Sequence, residues 1–70
     1  MAAFDVDGFI ERFRQRAAAV RERGIPPLEG RARRQYVEAA EQDHLDYSLV
    51  ASAAWSVEDD CLVLRIPLRG

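Results

Sequence analysis

Glu41-Gln42-Asp43-His44 sets a carboxylate and an imidazole three residues apart. On a helix, positions i and i+3 share a face, and Glu-x-x-His is half of the ligand set of a di-iron carboxylate site. The rest of such a site needs glutamates from other helices, and Glu11 is the one suitable residue on the first predicted helix. Two copies of the chain could complete it, which would make a metal-dependent homo-oligomer. The plainer reading is a chance spacing in an acidic helix end. No metal or cofactor is therefore expected, and Glu41 and His44 are the candidates if one binds.

His44, Asp46 and Cys61 supply the residue types of a Cys-His nucleophile pair. Nothing puts Cys61 at a helix N-terminus or a strained turn, where a thiolate is stabilised. Its neighbours Asp59 and Asp60 would repel one, so Cys61 reads as a small strand residue. Tyr36, Tyr47 and Trp55 could stack nucleic-acid bases, but their spacing fits core and rim positions equally well. There is no glycine-rich phosphate loop, no GxGxxG and no GxSxG. A chain this small has little room for the usual ~300–1,000 Å³ ligand pocket. An enzyme is not expected.

Composition narrows the class further. Seventy residues make one domain with a marginal core. Small domains are commonly reinforced by disulfides, a structural metal or oligomerisation. A single cysteine rules out an internal disulfide and suits a reducing cytoplasm. Cys61 and His44 are too few soft ligands for structural zinc. Oligomerisation remains. No segment is long and apolar enough for a bilayer, and the N-terminus lacks the pattern of a signal peptide, so no membrane partner is expected. Every cation is arginine, which fits biased codon usage in a GC-rich, bacterial genome or selection for arginine's planar fork at an interface.

The elements that would position these residues follow from periodicity. Val6, Phe9, Ile10, Phe13, Ala17 and Val20 recur in three- and four-residue steps, which predicts a helix over about 6–23. Asp5 or Asp7 can cap its start, and Gly24 is placed to stop it. Residues 24–30 hold Pro26 and Pro27 and form a stiff connector, with Ile25 or Leu28 plugging the end of the helix pair. A second helix over about 31–45 would bury Ala32, Tyr36, Val37, Ala40 and His44. From about 47 to 68 the period becomes two, which predicts a β-hairpin. If Asp59-Asp60 is a two-residue turn, Val57 faces Leu62, Trp55 faces Leu64, Ala53 faces Ile66 and Ala51 faces Leu68. A four-residue loop is the alternative. The predicted fold is α+β: an antiparallel helical hairpin followed by a two-stranded antiparallel β-hairpin, in one domain over residues 1–70.

Two features point outward. The predicted first strand, Ser48 to Val57, carries no charge, and two helices can cover its Trp55 face but not its edge. Pairing along that edge, with another copy or a larger protein, would involve Val50, Ser52, Ala54 and Trp55. Charge is also polarised. If the helices are antiparallel, Arg21, Arg23, Arg31, Arg33 and Arg34 gather at the connector end and the carboxylates at the other. Arginines at the start of the second helix and acids at its end both oppose the helix dipole, at about 0.3–1 kcal/mol each at low salt. The expected function is a non-catalytic accessory subunit or adaptor that stabilises or regulates a larger protein or enzyme complex. A regulator that contacts nucleic acid through the arginine tip is the alternative, disfavoured by a net charge of −2.

Overall fold

The computed structural model describes residues 4–68. Helix α1 spans Val6–Glu22 and α2 spans Gly30–Ala51; strand β1 spans Ala54–Glu58 and β2 spans Cys61–Arg65. The two strands form an antiparallel two-stranded sheet, so the α+β class and the order of elements are those the sequence predicts.

Helix α1 starts where the sequence supplies a cap. The Asp5 carboxylate accepts a hydrogen bond from the Gly8 N–H at 3.0 Å. Gly8 leaves room for it, because a Cβ there would lie 2.3 Å from Asp5 Oδ2. Phe4 precedes the cap and its ring lies 5.5 Å from that of Phe9, a hydrophobic staple that fixes the entry of the chain. The other end departs from expectation. Gly24 is not left-handed; Arg23 leaves the helix in an extended conformation, with ψ 123. Pro26 and Pro27 already hold the following chain extended, so no tight reversal is needed. The Leu28 N–H donates to Pro26 O at 2.7 Å, closing a small turn centred on Pro27. The left-handed glycine is Gly30, at φ 60, where the chain turns into α2.

The two helices meet along a heptad-like seam. Val6, Ile10, Phe13, Ala17 and Val20 on α1 and Val37, Ala40, His44, Tyr47 and Ala51 on α2 each recur in alternating steps of three and four. Three contacts fix the antiparallel register. Tyr36 Oη donates to Gly24 O at 3.3 Å, His44 Nδ1 lies 3.0 Å from Ala17 O, and the Phe13 and Tyr47 rings are 5.8 Å apart. A carbonyl oxygen only accepts, so His44 Nδ1 carries the proton and donates. Ala32 is exposed, contrary to its expected place in the inner stripe, because at this register it lies opposite the connector rather than α1.

Helix α2 runs six residues past its expected end near 45 and takes in the start of the expected strand. Val50 is helical and Ser52 is the C-cap, with its Oγ donating to Leu49 O at 2.9 Å, so neither belongs to a strand edge. The cause is a segment with two compatible periods. Residues 48–54 alternate, yet His44, Tyr47 and Ala51 also continue the three-four seam, and Tyr47 is held by Phe13. Alanine favours helix, and Val50 is the one β-branched residue from 48 to 54. Extending the helix also removes half of the expected dipole conflict. Glu41, Asp43 and Asp46 lie before the last turn, outside the reach of the C-terminal dipole. The N-terminal half of the conflict stands: Glu29 makes no side-chain cap, no acid lies in the first turn, and Arg31 and Arg33 follow.

The hairpin takes the two-residue turn. Asp59 and Asp60 have φ 52 and 60, the left-handed pair of a type I′ turn. Trp55 pairs with Leu64 and Val57 with Leu62, as the alternation predicts. The pairs Ala53–Ile66 and Ala51–Leu68 do not form, since the ladder ends at Ala54–Arg65 and Ala51 is helical. The helices do not cover the Trp55 face. The hairpin makes almost no contact with the helix pair, and Trp55 and Val57 are 42% and 59% exposed. The chain measures 49 × 28 × 16 Å. Helix α2 and a five-residue strand laid end to end reach about 50 Å, so the hairpin projects beyond the helices along the long axis. The buried core among the described residues is Val6, Ile10, Ala17 and Val20, all on α1.

Candidate functional site

Two surfaces at opposite ends of this rod combine apolar area with charge. The first is a cleft at the connector end. Helix α1 contributes Val20 as its floor and Arg21 at its rim, and α2 contributes Tyr36, Val37, Ala40, Glu41 and His44. Arg23 and Ile25 of the connector form the remaining wall. Ala40 is small, which leaves the groove open where a larger seam residue would fill it. The Tyr36–Gly24 hydrogen bond ties the connector down beside it. Ile25 is 49% exposed and lines the opening rather than plugging it, whereas Leu28 is half-buried. The cleft holds ≈ 160 Å³, which fits one large side chain better than a typical small-molecule ligand.

The antiparallel register gathers Arg21, Arg23, Arg31, Arg33 and Arg34 around this end, and all five are exposed. The one ion pair among the described residues is Glu11–Arg14, on the outer surface of α1, so none of the five has a carboxylate partner there.

The second surface is the hairpin. One face presents Trp55, Val57, Leu62 and Leu64. Its far end carries Glu58, Asp59 and Asp60, all exposed, so the apolar face is tipped with acid. Ser56 Oγ donates to Glu58 at 2.8 Å on the opposite face. Both outer edges of the sheet lack a strand partner among the described residues. Of the four residues expected along a free edge, Ala54 and Trp55 are in β1 and Val50 and Ser52 are not.

The residues that could carry catalysis or a metal do not converge. Glu41 and His44 share the cleft, where His44 Nδ1 donates to Ala17 O and leaves Nε2 as its remaining ligand atom, but Glu11, the expected third member, pairs with Arg14 instead. No three His, Cys, Asp or Glu side chains gather as a metal site among the described residues. Cys61 opens β2 at the hairpin turn, exposed, on a different element from His44. Tyr36 lies beside the connector, Tyr47 packs on Phe13 and Trp55 is on the hairpin, so they form no common stacking platform.

Sequence reasoning missed the cleft and the aromatic run Phe4–Phe9–Phe13–Tyr47. In that run Phe9 and Phe13 are 5.0 Å apart, and the Arg16 guanidinium lies 5.1 Å from the Phe13 ring. The i, i+4 spacing of Phe9 and Phe13 was a signal for the run. Nothing in the sequence announced the cleft, whose lining joins residues of α1, the connector and α2 that are up to 24 positions apart. No protein-family model matches the chain, and neither the curated proteins nor the solved structures contain a match.

Proposed function

We propose that this chain is a non-catalytic accessory subunit or adaptor whose hairpin is completed by another protein chain. The observation that carries this reading is the bare apolar face of Trp55, Val57, Leu62 and Leu64, held away from the molecule's own helices. An isolated two-stranded hairpin is marginal in water, and an apolar face of this kind marks an interaction surface. The accessible surface supports the same view. It is 5809 Å², about a third more than the roughly 4,400 Å² of a compact monomer of 7.9 kDa. The radius of gyration, 15.6 Å, likewise exceeds the roughly 11 Å of a compact chain of this length.

Trp55 is the sole tryptophan and so reports on this face directly. In dilute isolated chain its fluorescence should be quenched freely by acrylamide, and hairpin amides should exchange faster than those of the helix seam. A dilute monomer with Trp55 shielded and hairpin amides as protected as the seam would sink the proposal.

A second reading rests on the five arginines without a carboxylate partner among the described residues, which suit a phosphate backbone. A nucleic-acid contact through Arg21, Arg23, Arg31, Arg33 and Arg34 would weaken steeply with salt. The absence of any mobility shift at low salt, with single-stranded or duplex nucleic acid, removes it.

A further inference from the structure

We infer that the partner is a second copy of this chain, in a two-fold dimer that seats the hairpin of each copy on the connector-end cleft of the other. The inference rests on the preceding reading that the hairpin is completed by protein, and it names the occupant.

Three observations converge. The first is charge. The hairpin tip carries Glu58, Asp59 and Asp60, and the connector end carries Arg21, Arg23, Arg31, Arg33 and Arg34, without partners among the described residues. Two such rods attract when they lie antiparallel and repel when parallel. The second is length. Cleft residues 36–44 lie about 9–21 Å along α2 from Gly30. In an antiparallel overlap of two 49 Å rods, the partner's hairpin, about 17 Å long, reaches across roughly two thirds of that stretch. The third is shape and polarity. Val20, Val37 and Ala40 give the cleft an apolar lining, and its charged residues are Arg21 and Arg23 against the single carboxylate of Glu41, a balance that complements an apolar Trp55 face tipped with acid.

The arrangement closes on itself. A two-fold axis makes each contact twice, so no surface is left over to build a filament. The area is adequate as well. A standard interface removes about 800 Å² from each partner, which is within the surface by which this chain exceeds a compact monomer.

The test is a charge exchange between the two surfaces, read by native mass spectrometry and analytical ultracentrifugation of the full chain. The unmodified chain should be a dimer, at twice 7.9 kDa, at micromolar concentration. Asp59→Arg with Asp60→Arg, and separately Arg21→Glu with Arg23→Glu, should each weaken self-association by roughly 10–100-fold. Mixing the two variants should restore a dimer, now containing one of each. In that mixed dimer both hairpin–cleft contacts again join opposite charges. Recovery on mixing also shows that both variants are folded; amide NMR of Val57 and Leu62 checks that the turn survives arginine at two left-handed positions, and Glu58→Arg, outside the turn, supplies the reversal without that strain.

An unmodified chain that stays at 7.9 kDa up to high micromolar concentration overturns the dimer. Trp55 quenching then separates the two proposals: a quenchable Trp55 leaves the accessory-protein reading standing with a different partner, and a shielded one removes both. A dimer indifferent to both charge reversals, or variants that fail to recover on mixing while keeping both the helices and the hairpin, also overturns this interface.

Discussion

On α1, Val6, Ile10, Ala17 and Val20 are buried; on the hairpin, Trp55 and Val57 stay exposed. Both stripes have the period their element requires, three-four on the helix and two on the strands. The difference lies in what each stripe has within reach. A short connector folds α2 back on α1, so the helical stripe finds a second helix through three seam contacts. The hairpin leaves the far end of α2 and continues outward, with only Ser52 and Ala53 between the helix and β1. In this chain those two residues carry the helix C-cap and do not turn the strand pair back onto the helices. Correct patterning therefore specifies an element and its face, but burial depends on the connection that delivers a cover.

Substitutions test that contrast. The largest effect should come from Ile10→Ala, which empties part of the small buried core. A loss of about 2–5 kcal/mol is expected, enough to unfold much of the helix pair, as followed by urea denaturation and circular dichroism. Val57→Ala, measured in dilute monomer, should change stability by less than about 0.5 kcal/mol, because the side chain is mostly exposed. Equal losses at the two sites would erase the distinction between the regions.

Asp5→Ala should cost about 1 kcal/mol by removing the cap on Gly8 N–H, with fraying at the start of α1 seen by amide exchange. Asp60→Gly should stabilise the hairpin by up to about 1 kcal/mol, since glycine takes φ 60 without the steric penalty of a Cβ. Slower exchange at Val57 and Leu62, with the helix seam unchanged, is the expected signature. A further small effect should come from Arg31→Glu. It should stabilise α2 by about 0.3–1 kcal/mol at low salt and less at high salt, because a carboxylate suits the N-terminal dipole. A thermal shift in the opposite direction would mean that Arg31 makes a stabilising contact in solution.

Much of the fold was legible because it rests on local chemistry. The Asp5 cap, the proline connector, the seam of α1 and the Asp59-Asp60 turn with its Trp55–Leu64 pairing are short-range consequences of residue type and spacing. The segment from Ser48 to Ala53 was not legible, since small apolar residues and serines there satisfy a helical and a strand period at once. The candidate site was legible only in its parts. The arginine tip and Trp55 stand out in the sequence, while Val50 and Ser52 were misplaced with the segment that holds them.

The amino-acid sequence alone carried the kinds of element, their order, the hairpin register beside the turn and the separation of positive from negative charge. Each follows from residues a few positions apart. Tertiary packing decided that α2 runs on to Ala51, because Phe13 of α1 packs on Tyr47 just before the ambiguous segment. It also decided that the hairpin points away from the helices and that a cleft opens at the opposite end. Those outcomes depend on which surfaces a particular helix length and a two-residue link bring together, and periodicity carries no information about that.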